Sequence, residues 1–330
     1  MSKARQLADL GNVYDDGALS NRNKVINGAM VIDQRNGGAS VTGSAAVGKF
    51  AADRFSLYAN TTGTITIQQV ADAPDGFIKS NKVTCTSAAT SDPSGSRVQL
   101  VQGIEGYNIT DFGFGSSSAK TITLSFWVKA SNTGTYGGSF TNSVVDRSYP
   151  YQYTINASNT WEYKTVTISG DTTGTWATDN SSGLYLFWSL GIGSDFEGPA
   201  DQWNGAFDIA PASCFSLKDN LNATWQITGV QLEVGDTATP FEHRSYGDEL
   251  ARCQRYFEVQ GQYMDEGGYG LDSYTRLQFQ FKATKRTAPA VTLGSGSALT
   301  GSSTDVGGAW LWHLSDYAIV TATTTYDAEL

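Results

Sequence analysis

At 330 residues the chain has room for one large β domain and a smaller one. A net charge of −10 with no run of five like charges argues against a nucleic-acid partner, which needs clustered Lys and Arg. Hydrophobic residues at 40% exclude a disordered chain, and no stretch reaches the roughly 20 apolar residues of a membrane span. The rest of the profile, with 36 Gly and 12% aromatics, is that of a turn-rich β protein with an extracellular type of surface. Cys85, Cys214 and Cys253 form no CxxC and no zinc pattern, so buried free thiols are expected. The start, Met1-Ser2-Lys3-Ala4-Arg5, has no apolar core of a signal peptide, so a secretory substrate is not expected.

Residues 1–22 are polar and interrupted by Gly11 and Asp15-Asp16-Gly17, so they read as an arm that orders against something else. From Asn23 a β region begins, with Val25, Ile26, Met30 and Ile32 forming a first strand around the Asn27-Gly28 turn signal. Alternation predicts strands within 53–58, 64–68, 82–86, 97–102, 120–129, 135–140, 149–155, 161–168, 183–190 and 207–209. In the last strand of this series, Thr224 to Val234, residues Trp225, Ile227, Gly229, Gln231 and Glu233 alternate with a Val/Leu-rich face. About a dozen short strands with Gly, Ser, Asn and Asp turns indicate an antiparallel sandwich. The spacing alone leaves an immunoglobulin-like sandwich and a jelly roll open, although the Cys–Trp–Cys pattern of the former is absent.

Gly235-Asp236 ends that strand, and Pro240 keeps the exit extended. A helical segment follows from Tyr246 to Tyr256, with Leu250, Cys253 and Phe257 along one side. A second unit then runs to Leu330, with strands at 257–260, 274–282, 290–293, 309–314 and 317–322. Its loops Tyr263 to Gly270 and Gly294 to Gly308 are rich in glycine. About 70 residues with so much loop make a marginal core, which a homotrimer sharing buried surface would repair.

The stretch ITGVQLEVGDTATPFEHRSYGDELARCQRYF, Ile227 to Phe257, resembles a segment of phage virion proteins of the tail-fibre and structural class. Ser2 to Asn36, Thr123 to Ser131 (TLSFWVKAS) and Asn159 to Trp176 (NTWEYKTVTISGDTTGTW) resemble the same group. The resemblance implies an all-β fold: a carbohydrate-binding-module-like jelly roll with a short N-terminal arm and a small C-terminal β domain. The implied division is an arm at 1–22 attaching to other virion proteins, a jelly roll at 23–245, and a helical turn with a β domain at 246–330. It implies a virion location, a trimer and receptor binding without catalysis. A purely structural virion role is the alternative, and a glycan depolymerase the third reading.

No catalytic motif supports the third reading. His243 and His313 stand in neither a GxSxG elbow nor an HExxH helix. Asp195, Glu197, Asp201 and Asp208 carry no spacing that separates a glycosidase pair from loop acids. No cofactor is expected, though Asp171 to Gly174 and Asp179-Asn180 offer loop oxygens to a structural calcium. Sugar recognition requires flat aromatic platforms beside amides, carboxylates and hydroxyls. Tyr149, Tyr151 and Tyr153 share one face of a strand, and Trp176 and Trp203 sit in polar loops, so these five are the glycan candidates. Core packing is the competing reading of the tyrosines. Trp127, Trp161, Trp188 and Trp225 lie in alternating strands and are expected in the core, whereas the two C-terminal loops are further contenders for receptor contact.

Overall fold

The computed structural model describes residues 21–264, 275–293, 301–313 and 320–330. Most of the expected arm and parts of both C-terminal loops lie outside the described residues. The chain forms β1 (Val41–Thr42), β2 (Lys49–Phe50), β3 (Ser56–Asn60), β4 (Thr64–Val70), β5 (Ser80–Ser87) and β6 (Arg97–Glu105). Then follow β7 (Ile122–Ala130), β8 (Gly134–Thr141), β9 (Ser148–Ile155), β10 (Glu162–Ile168), β11 (Ser182–Ile192) and β12 (Thr224–Val234). These strands make two six-stranded sheets, ordered β1-β4-β5-β12-β7-β10 and β2-β3-β6-β11-β8-β9. The chain changes sheet at most steps, from β3 to β4, β5 to β6, and at every step between β9 and β12, which is the crossing pattern of a jelly roll.

Strand period decides what fills the space between the sheets. Ile122, Leu124, Phe126 and Val128 of β7 point inward, as do Leu184, Leu186, Trp188 and Leu190 of β11, and all are fully buried. Each such side chain contributes about 1.5–3 kcal/mol relative to exposure. Trp188 meets Phe126 edge-on at 6.0 Å and Trp225 is fully buried, as expected of both.

β12 departs from simple alternation. Trp225 and Ile227 point inward, but so do Val230 and Leu232, because the register against β7 shifts between Thr228 and Gln231. Two residues, Gly229 and Val230, oppose one, and Gly229 takes a left-handed φ of 62°. This glycine bulge rotates the second half of the strand, so the Val/Leu half and the Trp/Ile half serve the same core.

The segment from Asn23 to Ile32 is not a strand. Asn27 and Met30 adopt φ of 60° and 57°, and the buried Asn27 side chain donates to the carbonyls of Ile32 and Asp53 while accepting from Ile32 N. A turn held by its own asparagine replaces the expected ladder. Residues 207–209 are likewise irregular: the loop after β11 folds over the second sheet, where Phe207 packs on Phe187 and Phe196.

Beyond β12, helix α1 (Tyr246–Gln254) begins at the N-cap Ser245, whose hydroxyl accepts from Asp248 N. Its inner face adds Cys253 to a small cluster with Ile26, Ile32 and Tyr256. Six strands follow: β13 (Phe257–Met264), β14 (Thr275–Gln280), β15 (Ala290–Leu293), β16 (Gly301–Thr304), β17 (Gly308–His313) and β18 (Val320–Asp327). They form the sheets β13-β18-β15 and β14-β17-β16. β16 lies within the expected long loop, where pairing with β17 overrides weak local propensity.

Charged groups join this unit to the sandwich. Arg255 and Tyr256 both donate to Glu105 of β6, Arg54 lies 3.5 Å over the Tyr256 ring, and Arg54 and Arg35 both pair with Glu329. Inside the unit, Lys285 pairs with Glu258 at 2.7 Å, with both side chains wholly buried. Such a pair is costly to break and easy to replace. Lys285→Met alone should therefore cost about 3–5 kcal/mol, and adding Glu258→Leu should recover most of that loss. Urea midpoints of the two variants test this, and equal losses would show that the pair has no such cost to break.

Candidate functional site

The five aromatic candidates occupy the interior and its rim. Tyr149, Tyr151 and Tyr153 point from β9 into the sandwich. Tyr151 donates to the carbonyl of Phe187, and Trp225 Nε1 donates to the Tyr153 hydroxyl at 3.1 Å. Burial pushes both phenols well above their ordinary pKa. Trp176 is buried against Phe114, and the half-buried Trp203 packs edge-on to both Trp176 and Tyr149 while donating to the carbonyl of Ser169. Tyr149, Tyr151, Tyr153 and Trp176 are thus taken up in packing the core, while Trp203 keeps part of its surface at the rim. Alternation shows that the tyrosines share a face, but it does not say which one.

The proposed calcium ligands are also engaged. Arg147 donates twice to the carboxylate of Asp171, and Asp179 accepts from Ser181. Among the described residues no three His, Cys, Asp or Glu gather as metal ligands. His243 packs tilted against Phe77 and edge-on to Phe241, Asp195 accepts from Ser94, and burial raises the carboxyl pKa of Asp208.

An exposed aromatic surface lies elsewhere, on the outer face of the first sheet. β7 sends Ile122, Leu124, Phe126 and Val128 inward, which turns Thr123, Ser125, Trp127 and Lys129 to the other face, where Thr123 and Ser125 are covered and Trp127 and Lys129 are half-buried. On the edge strand β10, Val166 and Ile168 pack against the core and Tyr163 is 44% exposed. Register places Tyr163 opposite Trp127, and their rings lie 5.4 Å apart. Trp127 in turn lies opposite Thr228, next to the glycine bulge.

At that bulge the rings come down onto bare backbone. A Cβ on Gly229 would stand 2.7 Å from Phe77 and 3.0 Å from Trp127, so only glycine fits between them. Phe77 meets Phe241 at 5.0 Å and His243 at 5.4 Å. Tyr163, Trp127, Phe77, Phe241 and His243 thus form an aromatic strip across the sheet.

A polar row runs beside it. Gln68, Lys82, Gln226 and Lys129 are successive cross-strand partners on β4, β5, β12 and β7. Lys129 lies 5.1 Å over the ring of Trp161 and pairs with Asp72, which also accepts from Trp161 Nε1. Burial opposes ionisation of Asp72, but hydrogen bonds from Lys129, Trp161 and Gln226 prevail and hold its carboxyl below the usual range. Flat apolar faces with amide, ammonium and carboxylate groups alongside are what a saccharide surface requires.

The sequence contained this signal. Trp127 shares its phase with Thr123, Ser125 and Lys129, and Trp161 and Tyr163 share theirs with Thr165 and Thr167. Their expected place in the core is therefore corrected for Trp127 and Trp161, both only half-buried.

Comparison with known proteins adds a general likeness only. No family model matches the chain, and no curated protein matches it. Among solved structures, the enzymatically active domain of tailspike protein 4 of bacteriophage CBA120 is 12% identical with a TM-score of 0.34, covering 65% of this chain and 22% of that one. The chain thus spans about a fifth of that tailspike structure. The family 11 carbohydrate-binding module of the Clostridium thermocellum cellulase Lic26A-Cel5E is 11% identical with a TM-score of 0.30, covering 59% and 99%. A family 30 carbohydrate binding module is 10% identical with a TM-score of 0.27, covering 66% and 91%. At these TM-scores the likenesses carry no functional argument.

The turn between β9 and β10, which leads into Trp161, is pinned by one carboxylate. Glu162 accepts from the backbone of Asn156 and Ala157 and from Lys164, and despite some burial these bonds lower its pKa to about 2. A depressed carboxyl contributes stability that is complete above its ordinary value of 4.5 and is lost as pH falls towards about 2. Glu162→Gln should therefore lower the urea midpoint at pH 7, with the gap to wild type narrowing between pH 4.5 and 2. A gap constant with pH would contradict this role.

Proposed function

We propose that the chain is a non-catalytic adhesin of a phage virion, holding host-surface glycan on the outer face of the first sheet. The observation that carries this reading is the aromatic strip of Tyr163, Trp127 and Phe77 beside the polar row that ends at Lys129, Asp72 and Trp161. The resemblance of four separate segments to phage tail-fibre and structural proteins supports the virion setting. In this reading residues 1–22 attach to other virion proteins, and three copies assemble through the C-terminal unit, where Trp310 and Val306 remain exposed. Weak contacts at each copy multiply into avidity when several are held together.

Fluorescently labelled protein should bind candidate host cells saturably and lose that binding when the cells are treated with periodate. Trp127→Ala and Tyr163→Ala, both on the outside of the sheet, should weaken cell binding roughly tenfold while leaving the melting temperature within a few degrees of wild type, since stacking on one ring is worth about 1–2 kcal/mol. Absence of cell binding by folded protein would favour a purely structural virion part, and release of reducing ends from envelope polysaccharide would favour a depolymerase. For the assembly, sedimentation at micromolar protein should give a trimer, and a concentration-independent monomer would exclude it.

A further inference from the structure

We propose that Arg252 anchors a second ligand site, an anion slot that takes a carboxylate or phosphate group borne by a glycan. The slot lies beside α1 and touches the aromatic strip only at His243. Two cavities meet there, of about 600 and 340 Å³, and both are lined by Arg252 and Asn21. Volumes of this size suit one or two sugar rings.

The argument is one of charge accounting around these cavities. Asp248 stands one turn before Arg252 on α1, the usual place for its ion-pair partner, but it is held by the N-cap hydroxyl of Ser245. Glu242 accepts from the backbone N–H of Asn21 and Asn23 and pairs with Arg244. Asp111 pairs with Lys24 at 2.8 Å. Glu105 takes two hydrogen bonds from Arg255 and one from Tyr256.

Every one of these carboxylates is thus engaged, and Arg252 has a single neutral acceptor among the described residues, the side-chain oxygen of Asn21 at 2.6 Å. A guanidinium has five donors in a planar fork suited to a carboxylate or phosphate. Arg244, Arg255 and His243 line the larger cavity with it, against Glu242 and Asp248. Since Arg244 pairs with Glu242 and Arg255 with Glu105, Arg252 is the guanidinium of this wall without a carboxylate partner among the described residues. A free anion would meet an unsatisfied fork on the ridge between two lobes, with space on both sides for the groups attached to it.

The slot shares only His243 with the aromatic strip, and only the statement that a glycan carries the anion rests on the proposed adhesin role. The test is calorimetric titration of the full chain with trigalacturonate, with glycerol 3-phosphate and with neutral maltotriose. One or both anions should bind saturably, and which of them binds identifies the chemistry. Arg252→Gln should weaken that binding roughly tenfold or more, Arg252→Lys should retain part of it, and added salt should weaken it further. Trp127→Ala should leave it intact, so loss of the platform reading and loss of the slot are told apart. Because Arg252 makes one side-chain bond to the exposed Asn21, the variants should melt with wild type. Failure of folded wild type to bind either anion, or equal binding by Arg252→Gln, would overturn the proposal.

Discussion

The structure depends on a clasp between the chain's first described residues and the segment that leaves β12. Glu242 receives the N–H groups of Asn21 and Asn23, Arg244 donates to the carbonyls of Asn23 and Val25, and Glu249 receives the N–H of Asn27. Two segments more than 200 residues apart thereby satisfy each other's backbone through charged side chains, and charge-assisted bonds of this type are about twice as strong as neutral ones. The clasp also completes the first sheet. β5 pairs with β12 only over Thr224 to Ile227, and beyond the bulge its place is taken by the N-terminal segment, which bonds to Val230 and Leu232. Without it, the second half of β12 would have an unpaired edge.

The same clasp sets the positions of both proposed sites. Phe241 and His243 flank Glu242 in sequence and lie on the aromatic strip, while Arg244 and α1 form the wall of the cleft. A Cβ on Gly28 would strike the carbonyl of Val230 at 2.1 Å, so the N-terminal turn sits directly against the bulge that supports Phe77 and Trp127. Along the exit segment the rings of Phe241 and His243 alternate with the charged side chains of Glu242 and Arg244. This arrangement follows from alternation along an extended strap whose ends are fixed.

Much of the fold was legible because strand period is a local property. The long strands β7, β11 and β12 could be placed within a few residues, as could α1. Three things were not legible. The turn at Asn27 depends on a side chain that bonds to Asp53 as well as to Ile32, and the Asp53 bond is set by tertiary packing. The bulge at Gly229 looks like an ordinary alternating position until the β7 register is known. The inward orientation of Tyr149, Tyr151 and Tyr153 depends on which side of β9 the other sheet covers. The outward phase of Trp127 and Tyr163 was present in the pattern, but tryptophan in a strand was read as core on hydrophobicity alone. That phase points away from the inter-sheet core, and along it Trp127 and Lys129 reach the rim while Thr123 and Ser125 are covered.

Burial and exposure of aromatics divide the labour in this sandwich. Inside, Trp188, Trp225 and the β9 tyrosines pack between the sheets; Tyr151 and Trp225 find hydrogen-bond partners, whereas the buried Trp188 Nε1 has none. Outside, the rings of the strip lean on one another and on bare backbone at Gly229, with Tyr163 and His243 exposed and the others half-buried. A surface strip of this kind costs solubility unless something offsets it. The adjoining row carries the charged groups Lys82, Lys129 and Asp72, with Lys129 over the ring of Trp161. The pairing of apolar faces with charged neighbours is thus required by the solubility of the free protein, before any ligand is considered. A ligand that is itself apolar on its faces and polar at its edges meets both demands at once, which is why a saccharide suits this surface better than an apolar peptide or a lipid.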